Sequence, residues 1–280
     1  LFPPEAPVIV GLSGGMDSMA LLDILTLLGY QCVAGHCNFH LRGEESDRDE
    51  EFVKRWCKSV DVPFVSVGFD TRQYASDKKI SIEMAARELR YRWFEMTRVQ
   101  YHAGSIAVAH HRDDSVETVL MNLVRGTGIR GLTGISPKNN RVTRPLLCLS
   151  REEISQYITE RGIPYVTDST NKEDLFLRNR LRLHIIPMLE ELNPSVKDAI
   201  YRTALQVTEA EKVYSASIKE SIAFFIMTEL IFGLFIKHPP RYQSCLSYFR
   251  HWASPRPPYV ISAEAWMPNP EGSFLQNRTG

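Results

Sequence analysis

The feature that most constrains this chain is a strand, a glycine turn and a helix in immediate succession near its start. Val8-Ile9-Val10-Gly11-Leu12 is short, β-branched and bounded by Pro7 and by glycines, the pattern of a strand buried on both faces. Apolar residues on a helical period follow from Ser18 to Leu28 and stop at Gly29. The turn between them reads Ser13-Gly14-Gly15-Met16-Asp17-Ser18. Two glycines let the backbone approach an anion closely, and the first amides of the next helix supply donors to it. Ser13 and Ser18 add hydroxyls. Asp17 narrows the ligand, because a carboxylate beside a polyphosphate is repelled unless a cation such as Mg2+ lies between them. The Gly-Lys-Ser/Thr ending of a Walker loop is absent, so no lysine clamps a γ-phosphate. A turn that serves packing alone is the alternative.

The same alternation continues. Residues 31–37, 63–69 and 105–109 read as strands, and residues 46–60 and 82–102 as helices, which predicts a parallel sheet covered on both faces. Ligands of such sheets bind at the carboxyl ends of the strands. The glycine turn, the segment after Cys37 and the His110-His111 segment all leave strands at that edge. From Ser150 the pattern becomes helical: Ser150 with Glu153 fits a capping box, Pro164 ends that segment, and residues 175–191 and 195–228 are further helix candidates. The expected organisation is a sheet domain over residues 1–193, a helical region over 194–236, and a proline-rich, partial C-terminal domain over 237–280.

Charge is balanced over the chain, 33 basic against 33 acidic side chains, which alone argues against a nucleic-acid partner. Its distribution argues the other way. No acidic residue lies between Glu117 and Glu152, whereas Arg125, Arg130, Lys138, Arg141, Arg144 and Arg151 do, and Arg178, Arg180 and Arg182 form a second group. The alternative for both is a solvated surface. The longest apolar run, residues 222–236, is broken by Glu229 and too short to cross a membrane, so no membrane partner is expected. Five cysteines without a Cys-x-x-Cys pair fit neither a disulfide framework nor a structural zinc site, and no export signal is recognisable; a reducing, cytoplasmic location is expected.

Three further clusters carry chemistry. His110-His111-Arg112-Asp113-Asp114-Ser115-Val116-Glu117 leaves a strand and enters a helix, gathering acids that either serve a site or favour the helix dipole. Arg125-Gly126-Thr127-Gly128 combines a guanidinium with exposed amides and suits phosphate, or is an ordinary mobile loop. Arg87 and Arg90 share a helix with Tyr91, Trp93 and Phe94, a face that stacks a base or packs in the core.

The Ser-Gly-Gly-x-Asp-Ser turn after a buried strand resembles that of the PP-loop ATP pyrophosphatases. The ordered set His36-Cys37-Asn38-Phe39-His40-Leu41-Arg42, Ala86-Arg87 with Arg90-Tyr91, His110 to Thr118, Arg125 to Leu132, Arg144-Pro145-Leu146 and Arg178 to Arg182 is similar to the tRNA(Ile)-lysidine synthetases over residues 8–192. The resemblance implies a Rossmann-like, adenine nucleotide alpha hydrolase-like α/β domain. It implies ATP and Mg2+, the anticodon region of tRNA(Ile) and free L-lysine as partners, and leaves a homodimer open. Carried onto this chain, it puts Ser13, Gly14, Gly15, Met16, Asp17, Ser18, His36, Arg125 and Gly126 on the nucleotide and Asp17 on the metal. Asp17, Asp114 and Arg87 become catalytic, and Arg130, Arg144, Arg178, Arg180 and Arg182 contact tRNA. The rivals are a PP-loop tRNA thiolase, which usually needs paired cysteines, an amidating PP-loop enzyme, which needs a glutaminase, and a nucleotide-binding module without catalysis. Residues 237–280 match none of the small domains that full-length synthetases often carry.

Overall fold

The computed structural model describes residues 5–167 and 177–237. One sheet organises them. Strands β1 (Val8–Gly11), β2 (Cys32–Asn38), β3 (Phe64–Gly68), β4 (Ser105–Ala107), β5 (Lys138–Asn139) and β6 (Val142–Thr143) stand in the order β3-β2-β1-β4-β6-β5. Ile9 pairs with Val33 on one side and Ile106 on the other, in parallel register. The β5–β6 pair is antiparallel, unlike the wholly parallel sheet expected. These strands of two residues are too short to show a period, and they turn through Asn140, whose φ of 53° is a conformation asparagine tolerates.

The helices are α1 (Met16–Leu27), α2 (Glu44–Ser59), α3 (Thr71–Lys78), α4 (Ile82–Gln100), α5 (Arg112–Arg125), α6 (Arg151–Arg161), α7 (Leu177–Arg180), α8 (Ile186–Leu192) and α9 (Val196–Lys237). The helix expected over 175–191 is interrupted by a π-wound turn at Leu181–Ile185, and its first two residues lie outside the described ones. Helix α6 begins as the capping box predicts: the Glu153 amide donates to Ser150 Oγ at 3.1 Å and the Ser150 amide to Glu153 Oε2 at 2.6 Å. Helix α2 starts at Glu44, before the expected Ser46, whose Oγ instead accepts from the Arg42 amide.

Two apolar layers cover the sheet. On one face Leu21, Leu22 and Leu25 of α1, Val53 and Cys57 of α2, and Ile154 and Ile158 of α6 pack with Val8 and Val10. Each such fully buried leucine contributes roughly 2 kcal/mol of transfer free energy. On the other, Phe94 of α4 packs with Ile9, Val33 and Ile106, so close to β1 that a Cβ at Gly11 would lie 2.9 Å from the Phe94 ring. The compact unit holding the sheet runs to Tyr214, past the break expected near residue 193, and so includes the start of α9. Among the described residues no helix is long and apolar enough to cross a membrane.

The strand order places the site. The chain lays β2 and β3 to one side of β1, then returns to add β4 on the other, so a crevice opens at the carboxyl ends of β1 and β4. The glycine turn leaves one strand there and the His110-His111 corner the other.

Candidate active site

The turn after β1 holds itself together. Ser13 Oγ and Ser18 Oγ lie 3.1 Å apart, Ser18 Oγ donates to the Gly15 carbonyl at 2.9 Å, and the Ser13 amide donates back to Ser18 Oγ at 3.2 Å. The two glycines have different causes. Gly14 has φ +90°, its carbonyl accepts from the Val166 amide at 2.9 Å, and a Cβ there would come 2.9 Å from Val166 and 3.0 Å from Val53. Gly15 is extended and open, with only Ser13 Oγ, at 3.5 Å, within reach of an added Cβ. It is the N-cap of α1, and no side chain caps that helix. The first-turn amides are thus left for an outside acceptor. His36, buried behind the turn, donates from Nδ1 to the Leu12 carbonyl at 2.8 Å, and burial lowers its pKa, keeping the ring neutral. It braces the loop from behind.

Asp17 opens α1 and faces the other corner. Its Oδ2 lies 3.8 Å from His111 Nε2; its Oδ1 is buried without a hydrogen-bond partner. Burial pushes the carboxyl up from its ordinary value, with His111 opposing and Asp114 adding to the rise. An orphaned carboxylate oxygen at a phosphate-shaped turn fits a cation ligand. Among the described residues no group of three or more His, Cys, Asp or Glu side chains is arranged to hold a metal.

The corner after β4 is assembled from distant parts of the chain. His111, 2% exposed, stands 3.5 Å from Asp114, 3.7 Å from Asp113 and 3.8 Å from Asp17. The adjacent aspartates part company. Asp113 accepts from the Arg151 amide at 2.8 Å and pairs with Lys197 at 3.4 Å, facing α6 and α9. Asp114 accepts from the His111 amide at 3.0 Å, so it does cap its helix, and its other oxygen lies 3.7 Å from Arg182 on the side of Asp17. Glu117, 1% exposed, takes Arg182 Nε at 2.6 Å and Arg178 Nε at 3.3 Å. Burial still raises its pKa, against the pull of Arg182.

The basic residues divide in the same way. Arg178 and Arg182, four apart on one helical face, turn inward to Glu117, while Arg180 between them is exposed. Both are engaged with the carboxylate cluster, Arg178 with 39% of its side chain still exposed. Arg144 lies deeper. At 7% exposed it is no surface clamp; it donates to the Ser136 carbonyl at 2.8 Å and to His110 Nδ1 at 3.3 Å. Arg130 remains outside, its side chain 76% exposed and paired with Glu211. Arg125 and Gly126 end α5 eleven residues beyond Asp114, roughly 16 Å along the helix. The structure does not bring them to the turn.

A cavity of about 340 Å³ joins the turn to α4, lined by Gly15, Asp17, Ser18, Cys37, Phe39, Arg90, Tyr91 and His110. Arg90 lies over the Phe39 ring at 5.4 Å, and exposed Arg87 over the Tyr91 ring at 5.1 Å, one turn outside the lining. Phe94 is core, as the packing alternative held, and borders the cavity beside Tyr91. Sequence reasoning singled out Arg87 and passed over Arg90, Phe39 and His110 as site residues. The available signal was the three-residue offset of Arg90 from Arg87, which sets both side chains on the same face of α4.

A sheet with an uncapped glycine turn at its switch point, carrying a carboxylate oxygen without a hydrogen-bond partner, defines a nucleotide-binding α/β fold. Residues 3–189 match the model of the PP-loop domain, and the chain belongs to that family. It is 56% identical over 214 residues to the tRNA(Ile)-lysidine synthase of Parabacteroides distasonis, covering 76% of this chain and 49% of that protein. It is 52% identical over 229 residues to that of Bacteroides thetaiotaomicron, covering 82% and 54%. The chain thus spans about half the length of these curated relatives. Among solved structures, the U34-tRNA thiolase NcsA from Methanococcus maripaludis, with its 4Fe-4S cluster, superposes with a TM-score of 0.62 at 20% identity over 74% of each chain, and shares the fold.

Proposed function

We propose that the chain carries the catalytic domain of a tRNA(Ile)-lysidine synthetase, acting in the cytoplasm on ATP, free L-lysine and the wobble cytidine of tRNA(Ile). The observation that carries this reading is the pairing, across one crevice, of an open anion turn bearing Asp17 with the inward cluster Asp114, Glu117 and Arg182. Names borne by relatives of 56% and 52% identity support the same choice.

The chemistry has two steps. The C2 carbonyl oxygen of cytidine attacks the α-phosphorus of ATP, and the bond to pyrophosphate breaks. The lysine ε-amine then attacks C2, and AMP leaves with the oxygen. A ring carbonyl oxygen is a poor leaving group, and esterification lowers that barrier. The turn amides and the serine hydroxyls fix the phosphates in line. Mg2+, held through Asp17 Oδ1, would neutralise charge on the departing pyrophosphate. Asp114, whose second oxygen lies 3.7 Å from Arg182, positions the ammonium of lysine and accepts its proton as it becomes a nucleophile. Exposed Arg130 and Arg180 contact the tRNA backbone, making affinity salt-dependent.

Sulfur delivery fits less well. Burial pushes the Cys37 thiol, which faces the cavity, up to about 12, so near neutral pH it is not a thiolate. The test is AMP release with tRNA(Ile) and lysine each present or withheld. Lysine-dependent release with lysidine formed in the tRNA is expected; release equally supported by a sulfur donor would overturn the reading.

A further inference from the structure

Arg144 follows β6 and is 7% exposed, and a buried guanidinium persists only where its donors are met. Nη1 reaches the Ser136 carbonyl, and Nε donates to Nδ1 of His110 at 3.3 Å. Arginine offers no acceptor and keeps its proton in proteins. Nδ1 of His110 must therefore present a lone pair. Burial, with Arg144, Arg178 and Arg87 adding to it against Asp114, pushes the ring's pKa down to about 4, so the imidazole is neutral near pH 7. A neutral ring with a lone pair on Nδ1 carries its one proton on Nε2. His110 lines the cavity between the serine turn and Arg90.

We infer that Arg144 is a positioning residue that fixes His110 as the Nε2–H tautomer, so that the cavity offers a neutral donor to an acceptor oxygen of the reacting ligand and not a base to one of its protons. Such a donor, set in place before the reaction, needs no reorganisation as negative charge grows on oxygen. The identity of that oxygen, on the phosphate or on the base carbonyl, rests on the proposed function; the tautomer does not.

The first experiment needs no catalysis. Two-bond 1H–15N correlation spectra of the full chain are expected to show His110 protonated at Nε2 and bare at Nδ1; the opposite pattern overturns the proposal. Arg144→Met should blur that pattern toward a tautomer mixture. In AMP release, His110→Gln, whose amide reaches the Nε2 position, should keep at least about tenfold more activity than His110→Asn, whose amide stands at Nδ1. The reverse order overturns the proposal even if Arg144→Met fails to fold. Where it folds, Arg144→Met should lower kcat about tenfold with the KM for ATP held within about threefold. Added to His110→Ala it should cost nothing further, whereas multiplied losses would mean that Arg144 acts apart from the ring. A chain that releases no AMP, yet shows the Nε2 pattern, would refute the lysidine reading and leave the tautomer standing.

Discussion

The turn after β1 and the corner after β4 face each other across one crevice and are built in opposite ways. The turn is local: Ser13, Gly15 and Ser18 satisfy one another within six residues. The corner is not. His110 takes Arg144 from 34 residues on, Asp113 the Arg151 amide from 38, Glu117 Arg182 from 65, and Arg112 Asp198 from 86. A site made this way has one half whose side-chain hydrogen bonds close within the turn, with Val166 and His36 buttressing its backbone, and another that exists only once sheet, α6, α7 and α9 are assembled. Substitutions on the open side of the first half, at Gly15 or Asp17, should therefore damage chemistry and spare the fold, and those that remove a partner of Glu117 in the second should damage both.

The largest effect expected is at the assembled half. Arg182→Met removes the 2.6 Å partner of a carboxylate that is 1% exposed. Leaving that charge buried should cost about 3 kcal/mol in denaturant unfolding, and adding Glu117→Gln should restore more than half of it. A loss below about 1 kcal/mol would break the contrast, since it would mean the corner does not depend on its distant partners. Next comes Asp17→Asn in the local half. AMP release should fall about a hundredfold. Stability should hold or rise, because burial raises this carboxyl's pKa: the ionised form is disfavoured by the fold, so the stability linked to its proton is full below the unfolded pKa and is lost as pH rises through the folded one. Thermal melts that drop together with activity would refute this division.

The same difference decides what could be read from sequence. The β1 strand, its glycine turn and α1 are contiguous, so period and composition sufficed to place Ser13 to Ser18, and the βα alternation placed the sheet edge. Strands β5 and β6, of two residues each, leave no periodic trace, and without them nothing marks Arg144 as interior. An acid-free run of arginines reads as a surface until the fold shows which of them turn inward. Arg178, Arg180 and Arg182 were partly legible, since residues four apart on a helix share a face and the middle one does not. Which face met Glu117 depended on a contact 65 residues long.

The two glycines of the turn test the local half more finely. Gly14→Ala meets both a positive φ and the methyls of Val53 and Val166, so it should cost about 1–3 kcal/mol of stability. Gly15→Ala has open space and an ordinary φ, so stability should stay within about 0.5 kcal/mol. If a phosphate rests there, ATP affinity should nevertheless fall, measured by calorimetric titration with Mg2+ present. Equal losses of stability at both positions would show that the turn is packed throughout and not open at one residue.

The smallest effect should come at Lys197, where α9 meets the corner. Its ammonium lies 3.4 Å from Asp113 and 3.0 Å from Glu190. Burial pushes the Asp113 carboxyl up, but the Arg151 amide, Lys197 and His111 together outweigh it and hold the pKa below the ordinary value. A depressed carboxyl stabilises the fold above its unfolded pKa and loses that contribution as pH falls through the folded one. Lys197→Met narrows the gap. It should cost at most about 1 kcal/mol near pH 6.5 and less near pH 4, where Asp113 in the unfolded chain is already half protonated. Since Asp113 is engaged by Arg151 of α6 and Lys197 of α9 and does not line the cavity, kcat should stay within about twofold. A large fall in kcat at unchanged stability would instead make Asp113 a member of the reacting site, and the two adjacent aspartates would no longer divide structure from chemistry.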